Sequence, residues 1–465
     1  PASPRPSSEH PSQPTPDPRL RYLTETNVLY FGYKIPPSVP ECPAEEPEEN
    51  HESHRAPGTA RDRGGPSHPV RRRSRHRPVA TARLLPSEVY TSETFWQFEK
   101  EAIFMREWLC IGHVGEVPEP GDQLPMTIVG EPIVMLRDTS GDIRVMSSVC
   151  QHRGHPIFGG LEEEKRKAEG RALTCVSAKR MVCPYHNWQY TLDGKLVAAP
   201  SMTETVPVKQ LRETIQLPQI RHEVFHGLVF INFDEDAAPL APTVAKMDEE
   251  LRTFGIADLV PLAPFEFPDQ QWNWKIHHDN ALEPYHTSYV HRGVHEAAPA
   301  KNARFVTFDE GDGQVMHPTY LLDENAGLAS TDGKRTTQII PGLGEEQRKR
   351  VMFASIPPIL FSILQPTFVQ LAFIHPNGPG SMNLRRVNLY PKSAVEEPGF
   401  HEAYEKFMER KALAIHQDAV TTAAVQQGLK SRYAPRGPLS WMESNIPQLN
   451  TWLLTRYQKA LEELA

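Results

Sequence analysis

The sequence predicts an α+β protein, with a small all-β module carried inside a larger domain of antiparallel sheet and helices. Length is one reason: 465 residues exceed what one hydrophobic core usually holds, so two domains plus some excess are expected. A second is the run of short strand patterns and tight turns from residue 108 to about 217. The third is the change after Pro218 to longer strand patterns interrupted by helical ones.

In chain order, residues 1–80 stand apart. They hold 16 of the 45 prolines, an acidic run at Glu45, Glu46, Glu48 and Glu49, and a basic run through Arg71, Arg72, Arg73, Arg75 and Arg77. Apolar periodicity is confined to residues 28–31, so a disordered Pro/Arg-rich tail is expected, unable to offset its ordering entropy. A regulatory tail, a targeting sequence and a segment foreign to the working protein are the open readings, and an inert tail is the expectation. The acidic run and the lack of an apolar signal core fit targeting poorly.

Residues 81–107 read as an N-terminal helix capped at Ser87 and packing on the larger domain through Phe95, Phe98, Ile103 and Phe104. Within 108–217, Ser140-Gly141-Asp142 joins two strand patterns as a hairpin, and Asp193-Gly194 joins two more. Within 218–465, helices are expected at 244–254 and 398–430, and sheet at 359–374 and 384–390. There is no internal repeat.

The composition is that of an ordinary globular chain, 39% hydrophobic and 23% charged, with a net charge of -8. That acidity argues against nucleic acid or an anionic membrane as partner. No stretch approaches the roughly 18 apolar residues that span a bilayer, and the longest run, Gly227 through Phe233, has strand length. Five cysteines (Cys42, Cys110, Cys150, Cys175 and Cys183) form a poor disulfide framework and suit a reducing, cytoplasmic setting.

Cys150-Gln-His152 and Cys183-Pro-Tyr-His186 each pair a thiolate with an imidazole on one loop. Two cysteines on one iron and two histidines on another would make a [2Fe-2S] cluster of raised potential. The same four could hold a structural zinc. Chance pairing is the third reading, which finding both pairs in order weakens.

These loops, Cys150-Gln-His-Arg-Gly154 and Cys183-Pro-Tyr-His-Asn-Trp-Gln-Tyr-Thr-Leu-Asp-Gly194, resemble the cluster-binding loops of the large (α) subunit of Rieske non-haem iron oxygenases, of the ring-hydroxylating or N-demethylating type. The likeness extends from about residue 84 to the C-terminus. It implies a Rieske [2Fe-2S] domain at 108–217 and a helix-grip catalytic domain at 218–465. One departure is the thirty residues between His152 and Cys183, about twice the usual spacing. The charged surplus at 161–179 reads as a surface insertion, with Cys175 a spectator.

A second constellation follows in Asp279-Asn-Ala-Leu-Glu283-Pro-Tyr-His286-Thr-Ser-Tyr-Val-His291. Two histidines five apart can share a metal if the helix carrying the first ends between them. A carboxylate from elsewhere would complete a facial triad with positions open for O2. The resemblance implies His286, His291 and Asp418 as ligands of a mononuclear non-haem Fe(II), with Gln417 standing where the family usually has Glu. By pattern alone, Asp418 could equally be an exposed helix residue.

Glu283 precedes His286 by one turn, and the resemblance implies a bridge from it to a cluster histidine of a neighbouring subunit; a helix salt bridge is the plain alternative. His277 and His278 read as helix-surface residues, His295 as a decoy, and Trp272, Trp274 and Tyr285 as core packing. No nucleotide fingerprint, Gly-x-Ser-x-Gly elbow or phosphate loop occurs.

The implied function is the oxygenase component of a multicomponent system. It would hydroxylate a small organic substrate with O2 and with electrons passed from NAD(P)H through a separate reductase or ferredoxin. The implied assembly is a homotrimer. Monooxygenation or N-demethylation is preferred to dihydroxylation of an aromatic ring. A non-catalytic Rieske electron carrier and a zinc-stapled binding module are the rivals from other classes. The substrate pocket is expected from 315–320 and 353–365.

Overall fold

The computed structural model describes residues 79–160, 164, 175–292, 294–306, 314–323 and 337–464. The expected tail up to residue 78 and most of the expected insertion between the ligand loops lie outside them.

The first helical stretch is broken where one helix was expected. A single turn, Glu88–Thr91, is followed by α1 (Glu93–Glu99) and a π-helical turn, Lys100–Phe104. Ser87 does not cap, because its own backbone is helical and a capping residue needs an extended one. Ser92 is extended, at φ -86 and ψ 126, and its side chain accepts from the Phe95 N–H at 3.2 Å. Phe95 and Phe104 then pack edge-on against Tyr457 and Trp274.

The strands are β1 (Leu109–His113), β2 (Asp122–Ile128), β3 (Glu131–Arg137), β4 (Ile143–Ser147), β5 (Val176–Ser177), β6 (Met181–Val182), β7 (Gln189–Tyr190) and β8 (Leu196–Ala198). There follow β9 (Arg221–Phe225), β10 (Leu228–Asn232), β11 (Val260–Pro261), β12 (Phe265–Gln270), β13 (Val315–Tyr320), β14 (Arg350–Ile356), β15 (Leu360–Gln365), β16 (Phe368–Gly378) and β17 (Ser381–Tyr390). All their pairings are antiparallel.

In the small module a sheet in the order β4-β3-β2-β5 accompanies a second in the order β6-β7-β8. Both expected hairpins form, β3 with β4 and β7 with β8. The two-residue period of β3 divides its side chains between two cores. Val134 and Leu136 join Met146, Tyr190 and Leu196, while Ile133 and Met135 join the core shared with Trp274 and Tyr457. β1 pairs with β10, so a sheet runs across the boundary expected at residue 217.

The large sheet runs β11-β17-β16-β15-β14-β13, with β12 also on β17. Its register aligns His317, Phe353 and Ile363 across β13 to β15, and Phe361, Ala372 and Arg386 across β15 to β17. Four further helices matter for the site: α2 (Trp274–Ala281), α3 (Thr287–Val290), α4 (Phe400–Leu429) and α5 (Ile446–Leu464). The helix expected at 244–254 forms as three short pieces from Ala241 to Thr253.

A buried charge pair ties α1, α2 and α5. Lys275 Nζ donates to Glu99 at 2.7 and 2.8 Å, the Trp274 indole donates at 2.9 Å, and the Tyr457 hydroxyl donates to the same carboxylate. Removing one member of such a pair strands a buried charge, at a cost of about 3–5 kcal/mol. Among the described residues no helix is long and apolar enough to cross a membrane.

Candidate metal centres

Two loops of the small module share one hydrogen-bond pattern. The Cys150 N–H donates to the His155 carbonyl at 2.9 Å, and the Cys183 N–H to that of Trp188 at 2.8 Å. Four residues after each cysteine, the Gly154 and Asn187 N–H groups return to the cysteine carbonyls at 3.0 Å. Both returning residues are left-handed, at φ +74 and +59, a conformation open to Gly and tolerated by Asn. Each loop thus reverses tightly, with its cysteine inside and its histidine near the rim.

Cys150 and Cys183 are each 2% exposed, and the His152 and His186 rings lie 4.7 Å apart between centroids. Burial and the neighbouring Cys150 sulfur push the Cys183 thiol up, while the Tyr185 and His186 N–H groups favour its thiolate. The Tyr190 hydroxyl lies 3.2 Å from Cys150 Sγ, and the His152 ring stacks on Trp188 at 4.7 Å. His152 Nδ1 is buried with no hydrogen-bond partner. Two buried sulfurs and an orphaned imidazole nitrogen fit a metal cluster.

Among the described residues, three metal-binding side chains bring their donor atoms within 4.8 Å of one another only at His286, His291 and Asp418.

His286 precedes and His291 follows the single turn of α3, which turns both rings to one side. Their Nε2 atoms lie 3.5 and 2.9 Å from Asp418 Oδ1. Asp418 comes from α4, where Lys411, Ala414, Ile415 and Asp418 form one helical stripe facing a cavity. The opposite wall is sheet: His317 and Thr319 of β13, Phe353 of β14, Phe361 and Ile363 of β15 and Arg386 of β17. The two segments expected to build a pocket therefore meet here.

Each ring is held from behind. His286 Nδ1 pairs with Glu283 Oε1 at 2.6 Å, and the His286 backbone N–H donates to Glu283 Oε2 at 3.0 Å. His291 Nδ1 donates to Gln417 Oε1 at 2.9 Å. With Nδ1 engaged behind each ring, both Nε2 atoms face Asp418, where a metal would displace the proton that His291 shares with the carboxylate. Asn280 donates to Asp418 Oδ1 at 3.1 Å. Burial alone would lower the His286 pKa, but the hydrogen bond and charge of Glu283, joined by Asp418, raise it. Burial alone would raise Asp418, but the hydrogen bond from His291 and the charges of both histidines hold it well below the carboxylate range.

Three expectations are corrected. His277 and His278 are not on the surface: α2 is enclosed by the large sheet and its neighbours, and His278 Nε2 donates to the Pro358 carbonyl at 2.8 Å. His295, read as a decoy, is not among the three converging donors; it lines the cavity and stacks on His291 at 5.0 Å. Tyr285 is not core, being 45% exposed, whereas Trp272 and Trp274 are buried as expected.

Two family models match: the Rieske [2Fe-2S] domain over residues 107–216, and the ring hydroxylating alpha subunit (catalytic domain) over residues 258–459. The chain thus carries a Rieske [2Fe-2S] domain followed by the catalytic domain of a ring-hydroxylating oxygenase alpha subunit.

The cofactors of such an oxygenase are a Rieske [2Fe-2S] cluster and a mononuclear iron. Among curated relatives, the carnitine monooxygenase oxygenase subunit of Acinetobacter pittii (strain PHEA-2) is 32% identical over 45% of this chain and 52% of that one. The chain thus spans about half the length of the first curated relatives it matches. The biphenyl dioxygenase subunit alpha of Paraburkholderia xenovorans (strain LB400) is 26% identical over 77% and 82%. In fold, the chain is similar to the quaternary ammonium Rieske monooxygenase CntA in complex with L-carnitine (TM-score 0.64, 22% identity, 82% of this chain and 96% of that one). Naphthalene 1,2-dioxygenase from Rhodococcus sp. is similar too (TM-score 0.67, 19% identity, 82% and 95%).

Sequence reasoning gave no part in this site to Asn280, Arg386 or Lys411, and met Gln417 only as a departure from the family pattern. The four-seven spacing of Lys411, Ala414, Ile415 and Asp418 carried a signal for Lys411 once Asp418 was suspected.

Proposed function

We propose that this chain is the oxygenase component of a multicomponent system that hydroxylates a small organic substrate with O2 and with electrons from NAD(P)H delivered by a separate reductase. Monooxygenation, N-demethylation included, is the preferred outcome. The observation that carries this reading is the convergence of His286, His291 and Asp418 at one wall of a cavity whose opposite wall carries Phe353, Phe361 and Ile363. The similarity to carnitine monooxygenase oxygenase subunits supports it. Dihydroxylation of an aromatic ring is the second reading, supported by the longer match to a biphenyl dioxygenase subunit.

In this reading Cys150, His152, Cys183 and His186 hold the cluster of a module at 108–217. His286, His291 and Asp418 hold the iron of a catalytic domain at 218–465. When bound, the cluster supplies single electrons and the iron supplies O2 activation. The chain's own contribution is positional. Glu283 and Gln417 fix the tautomers of the two ligand histidines, and Asn280 steadies the Asp418 carboxylate. Phe353, Phe361 and Ile363 keep bulk water from the cavity and receive the apolar part of a substrate. The Glu283 carboxylate doubles as a bridge to the cluster of a neighbouring subunit in a homotrimer, which sits in the cytoplasm.

Anaerobic purification followed by metal analysis tests this directly. A brown protein with a Rieske spin-resonance signal and about three irons per chain is expected. O2 use with a surrogate reductase, with formaldehyde released from an N-methyl substrate, completes the test. Two irons would leave a carrier, and colourless zinc protein would end the reading.

A further inference from the structure

The cavity beside the iron-site residues is lined by two cations, Arg386 and Lys411, that feel the charge of Asp418 but form no ion pair with it. Arg386, on β17, is 8% exposed, and its Nε is buried without a hydrogen-bond partner. Phe267 faces the guanidinium at 5.8 Å, which satisfies none of its N–H groups. Lys411 lies on the cavity stripe of α4, and among the described residues neither cation has an ion pair. Burying the Arg386 guanidinium without a partner is costly, and the half-buried Lys411 ammonium in the same cavity adds to that cost. Burial lowers Arg386 to about 10, and burial together with the Arg386 charge lowers Lys411 to about 8, with the Asp418 charge opposing both shifts only in part.

The carboxylates in reach are already engaged. Asp418 lies 2.9 Å from His291 and accepts from Asn280, and Glu283 is held by His286. A dication bound at His286, His291 and Asp418 would add positive charge to the same space and leave Arg386 and Lys411 less compensated still. An anion is therefore missing from this cavity. Its geometry is set by α4: Lys411 and Asp418 are seven residues apart on one face, about 10 Å along the helix axis.

We infer that Arg386 and Lys411 form the anion-binding end of the substrate pocket. The substrate class is then a small organic carboxylate, its charged group held by these two residues and its reacting carbon a few bonds away. The inference rests on the oxygenase reading for the word substrate, but the binding it describes does not. Arg386 offers a planar fork for two carboxylate oxygens, and Lys411 a point charge that neutralises them.

The test uses matched pairs of short acyl ligands, each a carboxylate and its neutral primary amide, titrated calorimetrically into the anaerobic, fully loaded protein. Carboxylates should bind at least about tenfold more tightly than their amides, the scale of a buried charge-assisted pair. In Arg386→Gln and in Lys411→Gln that preference should shrink toward unity, with the visible spectrum of the cluster reporting that each variant is folded. Arg386→Lys should keep part of it. Equal binding of acid and amide by the unaltered protein, no binding of either, or a preference untouched by both glutamine variants would overturn the inference. Failure of the oxygenase reading looks different: the carboxylate preference stands, yet bound ligand is never oxidised with O2 and a reductase.

Discussion

Gln417 Oε1 accepts a hydrogen bond from His291 Nδ1 at 2.9 Å, although 126 residues separate them in the chain. The adjacent Asp418 faces the other nitrogen of that ring, so two consecutive residues of α4 fix one imidazole from both sides. Gln417→Leu removes the rear contact and keeps the bulk. It should weaken iron retention or turnover by about 10- to 100-fold. Iron content after dialysis, against an unchanged cluster spectrum, is the readout; full iron with normal turnover would show that the contact is incidental.

Glu283 accepts from both the ring and the backbone of His286. Glu283→Gln can still accept at one oxygen but carries no charge. Both metals should remain and steady-state turnover should collapse, while rapid mixing of chemically reduced protein shows slow electron movement from the cluster. Turnover near that of the unaltered protein would remove Glu283 from the electron path.

The Tyr190 hydroxyl stands 3.2 Å from Cys150 Sγ and also accepts from the Gln151 N–H. Against a thiolate ligand the hydroxyl must donate, which favours the electron-rich, reduced cluster. Tyr190→Phe should therefore lower the reduction potential by roughly tens of millivolts, since a one-electron couple moves about 59 mV per tenfold change in equilibrium. Protein-film voltammetry measures this, and an unchanged or higher potential would contradict the assigned donor.

Asp279, on α2, has its carboxyl raised to about 7, chiefly by burial; the Tyr90 hydroxyl, at 3.1 Å, and Lys275 oppose the rise. An acid with a higher pKa folded than unfolded binds more protons in the folded state. It weakens the fold progressively as pH climbs from about 4 to about 7. Asp279→Asn should thus match the parent near pH 4 and melt at a higher temperature at pH 8. Scanning calorimetry at several pH values decides it, and parallel profiles would mean that the carboxylate is charged throughout.

What could be read from the chain was what its chemistry keeps local. Cys150 and His152, Cys183 and His186, and His286 and His291 each sit within a few residues, so spacing drew notice to them and the family resemblance implied their roles. Gln417 was visible only as a departure from a family habit, because its partner lies on a different element. Arg386 sits in an apolar strand pattern, and nothing in that pattern tells a cavity-facing arginine from one at an edge. The placement of His277 and His278 failed for a related reason. Helix α2 is polar around most of its circumference yet enclosed on every side, so amphipathic reasoning sent its histidines outward. Ser87 was read as the cap, and only backbone conformation shows that Ser92 takes that part.

The two loops of the small module keep their cysteines inside and leave His152 and His186 half-exposed, with Tyr185 standing out beside them. On the cluster assignment proposed above, this makes the centre electrically one-sided. Protein insulates its sulfur pole, and its imidazole pole is the bare terminal. Whatever docks there governs the current, so surface changes around Tyr185 would alter the speed of exchange while leaving the voltage nearly where it was.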